Sequence, residues 1–182
     1  MQDQQLVFDN AVEGLFFHGM KHLVTPRLKD ELRGAGLDLD KRLAPAYERE
    51  TWKKVLQISA RTAFPTHSLE AAAREMGLLV ARGYEETVVG RAIISFARVI
   101  GPRRTLSRLT RSLRSANTYV AAEVVELAPS QVEIHCRGLD LSPHFMGGII
   151  EAAMGFCRAK SPVVTVQSSD GDNAVIRVVW KD

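Results

Sequence analysis

Residues 119–137 read YVAAEVVELAPSQVEIHCR. Two runs of β-type residues flank Pro129-Ser130, a turn signal. In the second run Val132, Ile134 and Cys136 point one way. Glu133, His135 and Arg137 point the other, because side chains alternate along a strand. The pair therefore reads as two antiparallel strands, one face apolar and one polar. Downstream, Ser142-Pro143 starts the helix HFMGGIIEAAMGFCRAK. PVVTVQ and AVIRVVW follow as two more strands, separated by SSDGDN, whose Asp, Gly and Asn suit a hairpin turn.

Upstream the period is helical. Residues 7–22 carry apolar positions near helical spacing. Thr25-Pro26 supplies an N-cap and first-turn proline for RLKDELRGAG. Residues 36–47 read as a connector and 48–64 as a helix stopped by Pro65. Ser68 caps LEAAAREMGLLVARGYEE. TVVGRAIISFARVIG is more apolar and reads as buried on most sides. The order is five helices, β-β, one helix, β-β. That is an α+β fold, an N-terminal helical half packed on a small antiparallel sheet, and not a doubly wound nucleotide fold. Residues 1–182 read as a single domain, helical over 1–116 and sheet-containing over 117–182.

The 182 residues are 46% hydrophobic and 25% charged, ordinary for a globular chain. Only the opening MQDQQ reads as disordered. Two cysteines, Cys136 and Cys157, are too few for a disulfide framework. The start lacks a basic signal-peptide region, and no apolar run approaches the roughly 18 residues of a membrane span. These features point to a cytoplasmic protein.

The segment GRAIISFARVIGPRRTLSRLTRSLRSANTYVAAEVVEL, with GLDLDKRLAPAYERETWKKVL before it, resembles a myxobacterial paralogous family of uncharacterised proteins of similar length. That family is expected to carry a doubled asparagine before the tyrosine, where this chain has Asn117-Thr118-Tyr119. More distantly, β-β-helix-β-β is similar to the fold shared by haem-NO-binding-like domains, vinyl-4-reductase domains and TRAPP vesicle-tethering subunits. This likeness implies a pocket between helices and sheet for a small molecule, a haem or an acyl chain.

Arginines dominate GPRRTLSRLTRSLRS, residues 101–115. The net charge of the whole chain is only +3, so the remainder is slightly acidic. On one continuous helix, Arg103, Arg104, Arg108, Arg111 and Arg114 fall within an arc of about 140°, opposite Leu106, Leu109 and Leu113. One reading is a solvated face paired to carboxylates such as Glu123 or Glu126. The other is an anion site, for which arginine forks suit phosphate or nucleic acid.

The helix after Pro143 holds Gly147, Gly148, Ala152 and Gly155. It reads as close packing, as a homodimer seam, or as a pocket wall of Met146, Ile150, Met154 and Phe156. His18 and His22, four apart, could grip a metal from one helix face, but no spacing fixes a third ligand, so no metal site is assigned. One histidine can hold haem without a motif, which leaves His18, His22 or His144 as candidates while making haem a minor reading. No catalytic motif is present. The favoured function is a non-enzymatic small-molecule or lipid-binding sensory or regulatory domain. The alternatives are a self-associating interaction module and an anion or nucleic-acid surface on the arginines.

Overall fold

In the computed structural model, which describes residues 4–181, the four C-terminal strands form one antiparallel sheet. They are β3 (Ala121–Ala128), β4 (Gln131–Arg137), β5 (Lys160–Asp170) and β6 (Asn173–Lys181), in the order β3-β4-β6-β5. Val132, Ile134 and Cys136 are buried, whereas Glu133, His135 and Arg137 are half-buried or exposed, as the alternation requires. Pro162 lies in β5, an edge strand, where a missing N–H costs no ladder bond. The pairing of β5 with β6 also slips twice, between Lys160 and Val163 and between Val166 and Ser168.

The helices are α1 (Asp9–Val12), a π-helical continuation (Glu13–Gly19), α2 (Pro26–Gly34), α3 (Arg49–Ala63), α4 (Leu69–Tyr84), α5 (Val88–Leu106), α6 (Leu109–Leu113) and α7 (Pro143–Phe156). With the sheet they make an α+β fold. Local side chains cap most long helices: Thr25 accepts from the N–H of Leu28, Ser68 from Ala71, Thr87 from Gly90, and Ser142 from His144. One buried cluster joins the N-terminal helices, with Leu15, Leu32, Leu56 and Met76 at its centre. Another joins the sheet to α7 and to Leu106, Leu109 and Leu113. Tyr119 and Ile149 pack against both.

Four expectations are corrected. The first helix does not begin at Val7: β1 (Leu6–Phe8) pairs with β2 (Ala46–Glu48), inside the supposed connector. Long-range pairing overrides local periodicity here, because Phe8 N–H also donates to the Ala116 carbonyl (2.8 Å) and Thr118 N–H to the Leu6 carbonyl (2.9 Å). Second, the reading of MQDQQ as disordered does not hold for Gln4 and Gln5. Residues 1–3 lie outside the described residues, but the Gln4 carbonyl accepts from the Thr118 hydroxyl at 3.1 Å and the Gln5 carbonyl from the Arg49 N–H at 2.9 Å. Third, α5 is not enclosed; Val88 and Val99 are both 83% exposed and Phe96 50%.

Finally, the arginine segment is not one helix. Gly101 at φ 78° breaks α5, a conformation that glycine adopts without steric cost. A second break falls at Arg108 (φ −107°, ψ 8°) before α6. The single arc of arginines therefore does not exist, although Leu106, Leu109 and Leu113 are buried as their spacing requires. The Thr110 hydroxyl fixes α6 against β3, where it accepts from the Ala122 N–H at 2.8 Å and donates to the Ala122 carbonyl.

Candidate functional site

The break at Gly101 folds the second part of α5 and the following turn back beside its first part. An apolar groove of about 450 Å³ opens between them. Ala92, Ile93, Phe96, Ala97 and Ile100 of α5 line one wall, and Thr105, Arg108, Arg111 and Ser112 the other. Ile93, Ala97, Thr105 and Ser112 also border an inner cavity of about 140 Å³. That cavity is walled by Val80 and Tyr84 of α4, Leu109 and Leu113 of α6, and Ile149, Ala153 and Phe156 of α7. A third space of about 70 Å³ shares Val80, Leu113 and Ile149 with it and ends at Asn117, Asp140 and Met146. The three spaces thus share lining residues, most of them apolar, from the surface groove toward the seam between helices and sheet. A larger recess of about 710 Å³ near α2 and α3 is polar. Its Glu31 is already engaged by Thr62 (2.7 Å) and Arg27 (2.9 Å).

Of the pocket-wall candidates, Phe156 lines the inner cavity and Met146 the deepest space. Ile150 and Met154 are fully buried in the cluster under the sheet. Of the glycines of α7, Gly148 serves close packing: a Cβ there would stand 2.1 Å from the Arg74 carbonyl oxygen of α4, whereas Gly155 has nothing within 4 Å. Of the arginines, Arg103 pairs with Glu126 (Nε to Oε1 2.8 Å). Arg104, Arg108, Arg111 and Arg114 have no carboxylate within ion-pair distance among the described residues. The Arg108 guanidinium instead lies 5.3 Å from the Phe96 ring centroid, across the groove.

His18 and His22 are not on one helix face, since the π-helical segment ends at Gly19, ahead of His22. His18 Nε2 lies 3.4 Å from Glu13 Oε1, and His144 bonds Ser142 at the start of α7. Among the described residues, no three His, Cys, Asp or Glu side chains group as metal ligands. The Cys136 thiol is pushed up to about 12 by burial, and Cys157 is raised for the same reason. No helix among the described residues is long and apolar enough to cross a membrane.

Beside the deepest space, which Asp140 borders, sits a charged cluster that sequence reading missed. Arg49, at the start of α3, donates through Nε to Asp140 (3.2 Å) and through Nη2 to Asp172 (2.7 Å) and the Leu139 carbonyl (2.8 Å). Its guanidinium lies 4.8 Å from the Tyr119 ring centroid, and the Tyr119 hydroxyl donates to Asp140 at 2.7 Å. Lys53 adds a second cation to Asp172 at 3.2 Å. Burial raises the Asp140 carboxyl, outweighing the bonds from Tyr119 and Arg49. Asp172 goes the other way: burial opposes, but Lys53 and Arg49 hold it below its usual value. Its contribution to stability is therefore present above the unfolded carboxylate value of about 3.9 and is lost as pH falls through the lower folded value. Asp172→Asn is expected to lower the urea midpoint at pH 7, with the gap to wild type closing below about pH 4. A gap undiminished between pH 7 and pH 3 would contradict this assignment.

The whole chain shares its fold with H-NOX proteins. It is similar to an Fe(II) unliganded H-NOX protein from K. algicida, with a TM-score of 0.66, 11% identity and 95% of each chain covered. An oxygen-binding H-NOX domain related to soluble guanylate cyclases gives 0.59 and 13%, covering 95% of this chain and 92% of that one. A structure from work on haem distortion in the H-NOX family gives 0.61 and 15%, covering 94% of each. At these identities the likeness is one of fold. Residues 5–181 match the family described as a protein of unknown function (DUF2378), and the chain belongs to that family. No curated protein matches the sequence.

Proposed function

We propose that this protein is a non-enzymatic ligand-binding domain with a sensory or regulatory role, taking an apolar small molecule or acyl chain between α5 and α6. The adjacent groove and inner cavity, which share Ile93 and Ala97 in their mostly apolar linings, support this reading. Its outer part falls within the range of ordinary ligand pockets, roughly 300–1,000 Å³. The sensory role rests on the H-NOX likeness, which supplies a fold and no ligand.

The residues present do not fit a haem. Haem iron needs an axial ligand such as histidine, cysteine or tyrosine. Among the described residues, neither histidine nor cysteine lines these three spaces, and His144 borders only a separate recess of about 210 Å³ with Arg74 and Val164, below the size of an ordinary small-molecule pocket. Tyr84 borders the inner cavity, but burial raises its pKa despite the bond with Ser115 (2.9 Å), so it stays a neutral phenol. The cavity it faces, about 140 Å³, is below the size of an ordinary small-molecule pocket.

Two other readings have less support. Self-association could use the exposed Val88, Phe96 and Val99 on α5. Nucleic-acid binding loses its single arginine face to the break at Arg108.

Displacement of a fluorescent fatty acid, with native mass spectrometry of the purified protein, tests the main reading. Ala97 stands where groove and cavity meet, so Ala97→Phe is expected to block the passage and weaken binding about tenfold or more. Unchanged binding in that variant, or no binding by wild type, would overturn the assignment.

A further inference from the structure

We propose that the groove selects ligands with an anionic head, a carboxylate or phosphate, held at the mouth by Arg108 and Arg111 while the apolar tail runs inward past Ile93 and Ala97. This rests on the groove being the binding site. Both arginines line its outer part, opposite an apolar wall of α5. Among the described residues, no Asp or Glu lines the groove or the inner cavity. The deepest space is bordered by Asp140, which Arg49 and Tyr119 already engage. Neighbouring Arg103 and Arg98 are committed, to Glu126 and Glu85 respectively.

Arg108 and Arg111 are thus the cations left facing the mouth without a carboxylate among the described residues. Arg108 rests on the Phe96 ring, an exposed contact that holds the guanidinium over the groove without filling its hydrogen-bonding edge. A fork-shaped donor set suits a planar carboxylate or a phosphate better than a neutral alcohol. Groove and inner cavity have a matching order: arginines at the groove, and an almost wholly apolar lining in the cavity beside it. A single-chain amphiphile has that same order.

The test compares dodecanoate, dodecyl phosphate and dodecanol, each below its aggregation limit, by displacement of the fluorescent fatty acid at low salt. Wild type is expected to bind dodecanoate or dodecyl phosphate about tenfold more tightly than dodecanol. Arg108→Gln with Arg111→Gln should remove that preference, weakening both anions about tenfold relative to dodecanol. Added salt should weaken the anions alone. The tighter anion tells a fatty acid from a phosphorylated lipid as the source of the head, and either result supports the proposal. If dodecanol binds as tightly as both anions, the head-group inference fails and the groove assignment stands. If nothing binds, or if Ala97→Phe leaves binding unchanged, the groove assignment itself fails.

Discussion

Arg49→Met is expected to destabilise the protein by about 3–5 kcal/mol, the cost of leaving a buried ion-pair partner uncompensated. The Arg49 side chain is 11% exposed and that of Asp140 only 6%. Water cannot replace the guanidinium cheaply at such a site. Removing it strands Asp140 and the Leu139 carbonyl, both of which accept from it. It also uncovers the face of Tyr119. Urea unfolding should show a lower midpoint with an unchanged slope. Asp140→Asn in the same background should recover part of the loss, because it removes the stranded charge. A single variant within about 0.5 kcal/mol of wild type, the range of ordinary surface changes, would show that the cluster is ornamental.

Gly77→Val should be comparably severe, at about 3 kcal/mol, the upper end for an overpacked site. A Cβ there would lie 2.0 Å from the Phe145 carbonyl oxygen and 3.1 Å from the Gly148 Cα. Both atoms are backbone and cannot swing aside, so α4 and α7 would have to separate. That separation would open Met76 and Ile150, now fully buried, to water. Gly155 supplies the control: it lies on α7, the partner helix of that contact, with nothing within 4 Å of an added Cβ. Gly155→Ala should be neutral or stabilising by about 0.5 kcal/mol, through helix propensity alone. Thermal or urea unfolding of the pair separates contact from composition.

The sheet was legible because its signals are local. Alternation places Val132, Ile134 and Cys136 inside, and Ser142-Pro143 marks the start of α7. The leucine stripe of the arginine segment was legible for the same reason. β1 and β2 were not, since three-residue strands carry almost no pattern and owe their existence to a partner about forty residues away. The exposure of α5 could have been suspected from Arg91 and Arg98 within its apolar run. The groove needed the fold, because its walls belong to two helices whose angle depends on the backbone at Gly101. The Arg49 cluster was invisible for a plainer reason: its acids come 91 and 123 positions later. No local spacing encodes such a meeting.

The two margins of the four-stranded sheet bear on how copies of this protein can meet. A bare margin is a template for a further strand, from a peptide or a second molecule. On β3 that template is interrupted where Thr110 occupies both the N–H and the carbonyl of Ala122. On β5 it is interrupted by Pro162 and by two slips of register. Neither side offers a long, regular row of free donors and acceptors. Growth of the sheet from molecule to molecule is therefore blocked at both ends, which leaves helix faces such as the outside of α5 as the route for any assembly and guards the strands against aggregation.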